Sequence, residues 1–182
     1  MFTILPASAG EIDVLRAIDD DASALYAAHG IPITLLPEHP FSRAELARWR
    51  RSAELGRAFV ARDPSGNSLG FAALELVDGE PYLDQLSVRV SAMRRGIGGR
   101  LLAHSAAWAR AAGGGALWLT TYDHLPFNRP YYEQRGYVVV PDSACSVGIR
   151  HQLDEQRCYL PAPGQRVAMR RLLRNDEAPK SA

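Results

Sequence analysis

The sequence predicts a mixed α/β domain, three layers of the α+β type, in which an antiparallel meander runs into a parallel strand–helix–strand unit. Three observations carry this. Ala58–Arg62, Ser68–Val77 and residues 82–88 are rich in strand-forming residues, separated by the turns Pro64-Ser65-Gly66-Asn67 and Asp78-Gly79. Residues 93–102, MRRGIGGRLL, pass from a glycine-rich turn straight into an apolar-periodic helix. Residues 116–121, ALWLTT, then read as a buried strand across that helix, parallel to 82–88.

The other elements follow in order. Residues 2–5 predict a short strand. Ser8 with Glu11 has the spacing of a capping box, and Ile12, Leu15 and Ile18 continue at helical intervals. This helix reaches residues 26–29, with a break expected near the acidic run 19–21, and Gly30 stops it. Residues 31–40 are a proline-punctuated loop. Ser42 with Glu45 suggests a second capping box, opening a helix through Leu46 and Trp49 that ends near Gly56. The helix after the glycine turn starts at Ile97 or Gly98 and runs to about Ala112. Leu101, Leu102, Ser105, Trp108 and Ala109 line its apolar face. Residues 126–135 suit a short helix with Asn128 near its start and Gly136 just past its end. Residues 137–140 predict a strand. Residues 141–163 are poorly patterned and are expected to be loop with pieces of strand. Residues 166–173 alternate as a closing strand, and 175–182 read as a frayed polar tail beyond a single domain, 1–174.

A chain of 182 residues is long enough to bury a full core in one domain. A net charge of +1 gives no broad basic face, so nucleic acid is not an expected partner. Cys145 and Cys158 match no metal spacing, and no metal is expected; the count fits reduced thiols better than a bridge, with pairing left open. The first residues, MFTILPASAGE, lack the positive start and long apolar run of a leader. No stretch approaches the ~18 consecutive apolar residues of a membrane span. A cytoplasmic protein with no membrane partner is expected.

The glycine turn points to an anion. Such a turn aims several backbone N–H groups at one spot, and the helix start adds its own unpaired amides and positive dipole end. Gly96, Gly98 and Gly99 remove Cβ atoms that would keep a phosphate oxygen away, and Arg94 and Arg95 add charge. A plain tight connection with solvated arginines is the competing reading. The turn lacks the GK[ST] ending of a Walker A loop, and Leu101 stands where a dinucleotide fingerprint needs Gly or Ala. Should the strands on either side of the helix splay, their exposed amides would pair with an extended, amide-bearing ligand arm. A diphosphate with such an arm has the shape of coenzyme A.

Four segments in this order, LDQLSV (83–88), MRRGIGGRLL (93–102), ALWLTT (116–121) and FNRPYYEQRGY (127–137), resemble the GNAT superfamily of acetyl-CoA-dependent N-acetyltransferases. The resemblance covers residues 57–140 well and the N-terminal helices less specifically. It implies a mixed sheet in which the meander splays from the parallel pair, with helices on both faces. It implies acetyl-CoA as co-substrate, its diphosphate held by the backbone of Arg94, Arg95, Gly96, Ile97, Gly98 and Gly99. Met93 departs from the family pattern, which has Gln or Arg there. Leu86, Ser87 and Val88 are implied to run beside the pantetheine arm, with Leu86 and Val88 lending backbone groups. Asn128 resembles the family's arm-contacting asparagine, at a shorter spacing to the tyrosine; a helix N-cap is the competing role. Tyr132, four residues before Gly136, stands where the family places its general acid, and Tyr131 lies beside it.

The chemistry is direct attack of a primary amine on the thioester within a ternary complex. A tyrosine, with an unperturbed pKa of about 10, stays protonated at neutral pH and can hand its proton to the departing thiolate. A lysine-like amine arrives protonated, so a base must accept its proton. Asp84 is the first candidate, two residues before Leu86 and so expected on the same face; a solvated strand carboxylate is the alternative. Glu75 and Glu80 are near in sequence. The acceptor pocket is expected from the chain before residue 57, from 122–127 and from 141–163. Asp19, Asp20 and Asp21 attract a cationic amine or are solvated, and His124 and Phe127 line the pocket or sit on a surface loop. The acceptor stays open among small amines, amino acids, polyamines, antibiotics and protein amines, as does homodimer formation. A non-catalytic acyl-CoA sensor and a nucleotide-binding module using the glycine turn alone are the other readings.

Overall fold

A computed structural model describes residues 1–173; the tail expected at 175–182 lies outside the described residues. Along the chain run β1 (Thr3–Pro6), α1 (Ile12–Ala27), α2 (Pro40–Glu54), β2 (Ala58–Arg62), β3 (Ser68–Val77) and β4 (Glu80–Val88). Then follow α3 (Ile97–Ala111), β5 (Ala116–Tyr122), α4 (Arg129–Glu133), β6 (Val138–Val140), α5 (Val147–Tyr159) and β7 (Arg166–Leu172). The strands form one sheet in the order β1-β2-β3-β4-β5-β7-β6. β1 to β4 are antiparallel neighbours, β4 and β5 are the parallel pair, and β7 slots antiparallel between β5 and β6.

Helices cover both faces. Leu15, Ile18 and Trp49 of α1 and α2 pack on Val60 and Phe71. Leu101, Leu102, Ala106 and Ala109 of α3 cover the opposite face, on Ala72, Leu74, Leu117 and Leu119. Trp108, partly buried, packs against the same core, and Ala106 joins the face. Burying each Leu- or Ile-sized side chain contributes about 1.5–3 kcal/mol.

Three local expectations are corrected. α1 runs unbroken through residues 19–21, because each acid has a partner: Asp19 accepts from Ser87 and Gln85, Asp20 pairs with Arg16 at 3.6 Å, and Asp21 accepts from the Val90 amide at 2.7 Å. α2 starts at Pro40, not at a Ser42–Glu45 box. His39 is its N-cap, its Nδ1 accepting from the Phe41 amide at 3.2 Å, and proline is pre-set for the first helical position. Residues 141–163 contain α5, capped by Ser146, rather than loop and strand pieces. Ile149 and Leu153 of α5 bury against Tyr82, Trp118 and Ala168. The start of α5 is tied to the tip of the β3–β4 hairpin. Asp78 accepts from the Gly148 amide at 2.7 Å, and a Cβ at 148 would stand 2.7 Å from Val77 Cγ1.

Two irregularities shape the middle of the sheet. The β3–β4 register slips between Ala73 and Leu74: Ala73 faces Gln85 and Leu74 faces Leu83, leaving Asp84 unpaired as a bulge. β4 and β5 share a single registered pair, Tyr82 with Trp118, and beyond it they part.

Candidate active site

The wedge between β4 and β5 opens toward the N-terminus of α3. Gly96 caps that helix at φ +79°, and Arg94 holds φ +58° in the same turn. Glycine adopts the left-handed region at little cost, whereas Arg94 is held there against about 1–2 kcal/mol. The first intrahelical bond runs from the Arg100 amide to the Gly96 carbonyl at 3.1 Å. The amides of Ile97, Gly98 and Gly99 therefore stand ahead of it at the positive helix end. A Cβ on Gly98 would lie 3.0 Å from the Tyr131 hydroxyl, and one on Gly99 would lie 3.8 Å from the Arg135 guanidinium. A side chain at 98 would therefore press on the Tyr131 hydroxyl.

The two tyrosines part company. Tyr131 turns toward Gly98, with Arg135 over its ring at 3.6 Å from the centroid. Tyr132 faces the cavity beyond the wedge. Burial lifts its phenol well above 10, reinforced by Tyr26, Tyr131 and Tyr137 around it. Asn128 starts α4 but makes no side-chain cap bond. Its amide nitrogen instead donates to Thr121 Oγ1 at 2.5 Å and to the Tyr26 hydroxyl at 3.2 Å. Its Oδ1 is buried with no partner among the described residues.

Asp84 does not share a face with Leu86, as strict alternation requires, because the bulge changes the parity of the strand. Leu86 packs on the α3 side, whereas the Asp84 carboxylate turns to α2. There it accepts from Arg48 Nε and Trp49 Nε1, each at 3.1 Å. Its side chain is 1% exposed, so it is the backbone of Asp84 that faces the open cleft. Burial raises its pKa, and the Arg48 and Trp49 bonds oppose the rise. Ser87 turns to α1, donating to Asp19 Oδ1 at 2.5 Å, and Val88 packs on the α3 side.

Beyond the wedge lies a cavity of about 170 Å³. α1, residues 33–37, α2, the parted strands, the end of α5 and the first residue of β7 enclose it. The acidic residues along its lining are Asp19, Asp20, Glu45 and Asp84, the last by its backbone. Glu45 makes no hydrogen bond or ion pair among the described residues. Burial, then the nearby Asp19 and Asp84 charges, raise its pKa well above 4.5, while Arg48 and Arg166 pull against the rise. Glu45, Arg166 and Gln156 escape sequence reasoning: the first reads as a capping residue, and the others fall in or beside a segment without pattern. Phe127 and His124 do not line the cavity; Phe127 backs it by packing edge-on to Tyr26 at 5.2 Å. Among the described residues no three His, Cys, Asp or Glu side chains gather to hold a metal, and no helix is long and apolar enough to cross a membrane.

Comparison with solved structures finds the same fold. An acetyltransferase of the GNAT family from Staphylococcus aureus Mu50 superposes with a TM-score of 0.70 at 15% identity, covering 96% of this chain and 100% of that one. The ribosomal-protein-S18-alanine N-acetyltransferase of Escherichia coli gives 0.66 at 17% identity, covering 98% and 99%. N-acetylglutamate synthase from Neisseria gonorrhoeae, complexed with coenzyme A and N-acetyl-glutamate, gives 0.65 at 19% identity over 96% of this chain. The chain spans only 35% of that enzyme's length. The family model "Acetyltransferase (GNAT) family" matches residues 19–137, more than half of the sequence. The chain belongs to the GNAT acetyltransferase family.

Proposed function

We propose that this protein moves an acetyl group from acetyl-CoA to a primary amine by direct attack, with the thioester seated where β4 and β5 part. The single registered pair between those strands is the observation that carries the reading. It leaves the β5-facing edge of residues 84–88 unpaired beside a cavity that holds a tyrosine. Two features fit the coenzyme. The α3 amides behind Gly96 suit its diphosphate, with Arg94 and Arg95 alongside. The unpartnered Asn128 Oδ1 suits an amide N–H of its pantetheine arm.

When bound, the coenzyme supplies the acetyl thioester. A backbone N–H of Leu86 or Val88 steadies charge gathering on the carbonyl oxygen. Tyr132, kept protonated by burial, gives its proton to the leaving sulfur. Glu45 takes the proton from the amine. Asp84 is the poorer acceptor, because its carboxylate turns away from the cleft to Arg48 and Trp49 and is 1% exposed. Asp84 instead holds the bulge in place. The free thiols Cys145 and Cys158 support work in the reducing cytoplasm.

The test is an amine panel incubated with acetyl-CoA, reading thiol release and the mass of the product. Acetylated product supports transfer. Tight coenzyme binding with no thiol release from any amine favours a sensor and rejects it.

A further inference from the structure

Arg166 is 6% exposed and lines the cavity. Its Nε and Nη2 donate to one neutral acceptor, Gln156 Oε1, at 3.1 and 2.5 Å. Its guanidinium lies 4.5 Å from the centroid of the Tyr122 ring. No described carboxylate forms an ion pair with it. Gln156 is itself 7% exposed and further accepts from Thr120 Oγ1 at 2.6 Å, so this arrangement is built and held rather than incidental. A buried cation without a counter-charge is costly, and the cost is removed when an anion arrives. Glu45, the carboxylate left without a close partner, stands on another wall, near enough for Arg166 to act on its charge.

We infer that the acceptor is a small free amino acid: its carboxylate docks on Arg166 and its amino group meets Glu45 beside the thioester. This rests on the acetyl-transfer reading and names its substrate class. An acid and a cation, neither ion-paired among the described residues, line one cavity, which a zwitterion bridges and a simple amine does not. The volume is in keeping. The cavity of about 170 Å³ has room for a single amino acid. Phe41, Tyr122, Leu35 and Leu160 supply an apolar lining for the side chain.

The experiment compares the twenty amino acids with their carboxamides and decarboxylated amines, reading thiol release from acetyl-CoA. Coenzyme A binding is measured separately by calorimetry. The acids should exceed their matched amides and amines in kcat/KM by about 30-fold or more, the effect of leaving one buried charge unpaired. Arg166→Met should bring that ratio close to one, with Arg166→Lys in between. Should either variant fail to fold, the wild-type ratio decides alone. Amines or amides that react as fast as the acids overturn the inference and leave acetyl transfer standing. So does a panel in which the acids are inert while coenzyme binds. Absence of coenzyme binding would remove the transfer reading itself, and this inference with it.

Discussion

Replacing Asp84 by Asn separates a residue that clamps the β4 bulge from one that exchanges protons with substrate. Arg48 Nε and Trp49 Nε1 each donate to one Asp84 oxygen at 3.1 Å. Asparagine keeps the shape but offers one acceptor. Whichever way its amide turns, one of the two bonds is lost and two donors face each other. Arg48 also loses its near carboxylate, leaving Glu155 at 3.8 Å. The two side chains are 1% and 16% exposed, so water makes up little of the loss. A hydrogen bond to a charged group contributes about 1.5–3 kcal/mol, and breaking a buried pair costs about 3–5 kcal/mol. Relief from burying a carboxylate offsets part of this, in line with the raised Asp84 pKa. The net is a destabilisation of about 2–3 kcal/mol, which at ~2–4 °C per kcal/mol lowers the melting midpoint by about 5–10 °C. Scanning calorimetry reads it directly. An unchanged midpoint together with turnover lowered by about 10²-fold or more would refute the clamp and make Asp84 the proton acceptor.

Other expected outcomes concern single side chains. Because burial raises Glu45 above its unfolded pKa, the folded state holds that proton to higher pH. Stability from this residue is complete below the ordinary carboxylate range and is lost as pH rises through the raised value. Glu45→Gln should therefore melt above wild type at pH 8, with the gap closing toward pH 4, and turn over about 10²–10⁴-fold more slowly; wild-type kcat across the pH range would remove Glu45 from proton transfer. Tyr132→Phe should lower kcat by about 10²-fold or more while calorimetric coenzyme affinity holds, and equal turnover would exclude Tyr132 as the acid. Gly96→Asp meets no atom within 4 Å, so any effect comes from its φ of +79° and its charge. It should abolish coenzyme binding, and retained affinity would discard the diphosphate site.

The parts of the fold legible in the sequence are those whose signal is local. Strand runs, the glycine turn and the spacing from Tyr132 to Gly136 lie within single segments, whereas the place of β7 between β5 and β6 is read from none of them. α5 was illegible because its buried face rests on Ile149, Leu153 and the polar Gln156, while Val147 is 80% exposed. The aim of Asp84 was illegible for another reason. A bulge is a mismatch between two strands, and β4 read alone shows only alternation. Glu45 was hidden by its distance from the Ser42 hydroxyl: three residues make a capping box only if Ser42 begins the helix, and Pro40 begins it earlier. Arg166 reads as a charge at a strand's first residue, where solvent is the ordinary company. Only the closure of α5 over β7 makes it an interior cation.

The bond from the Gly148 amide to Asp78 gives a distant surface turn a hold on the far wall of the enclosure. α5 carries Gln156, and Gln156 grips the guanidinium of Arg166. Hairpin tip, helix and cation are joined in one series of contacts. A change in the length of that tip would reach the wall through α5 without replacing any residue that lines the cavity.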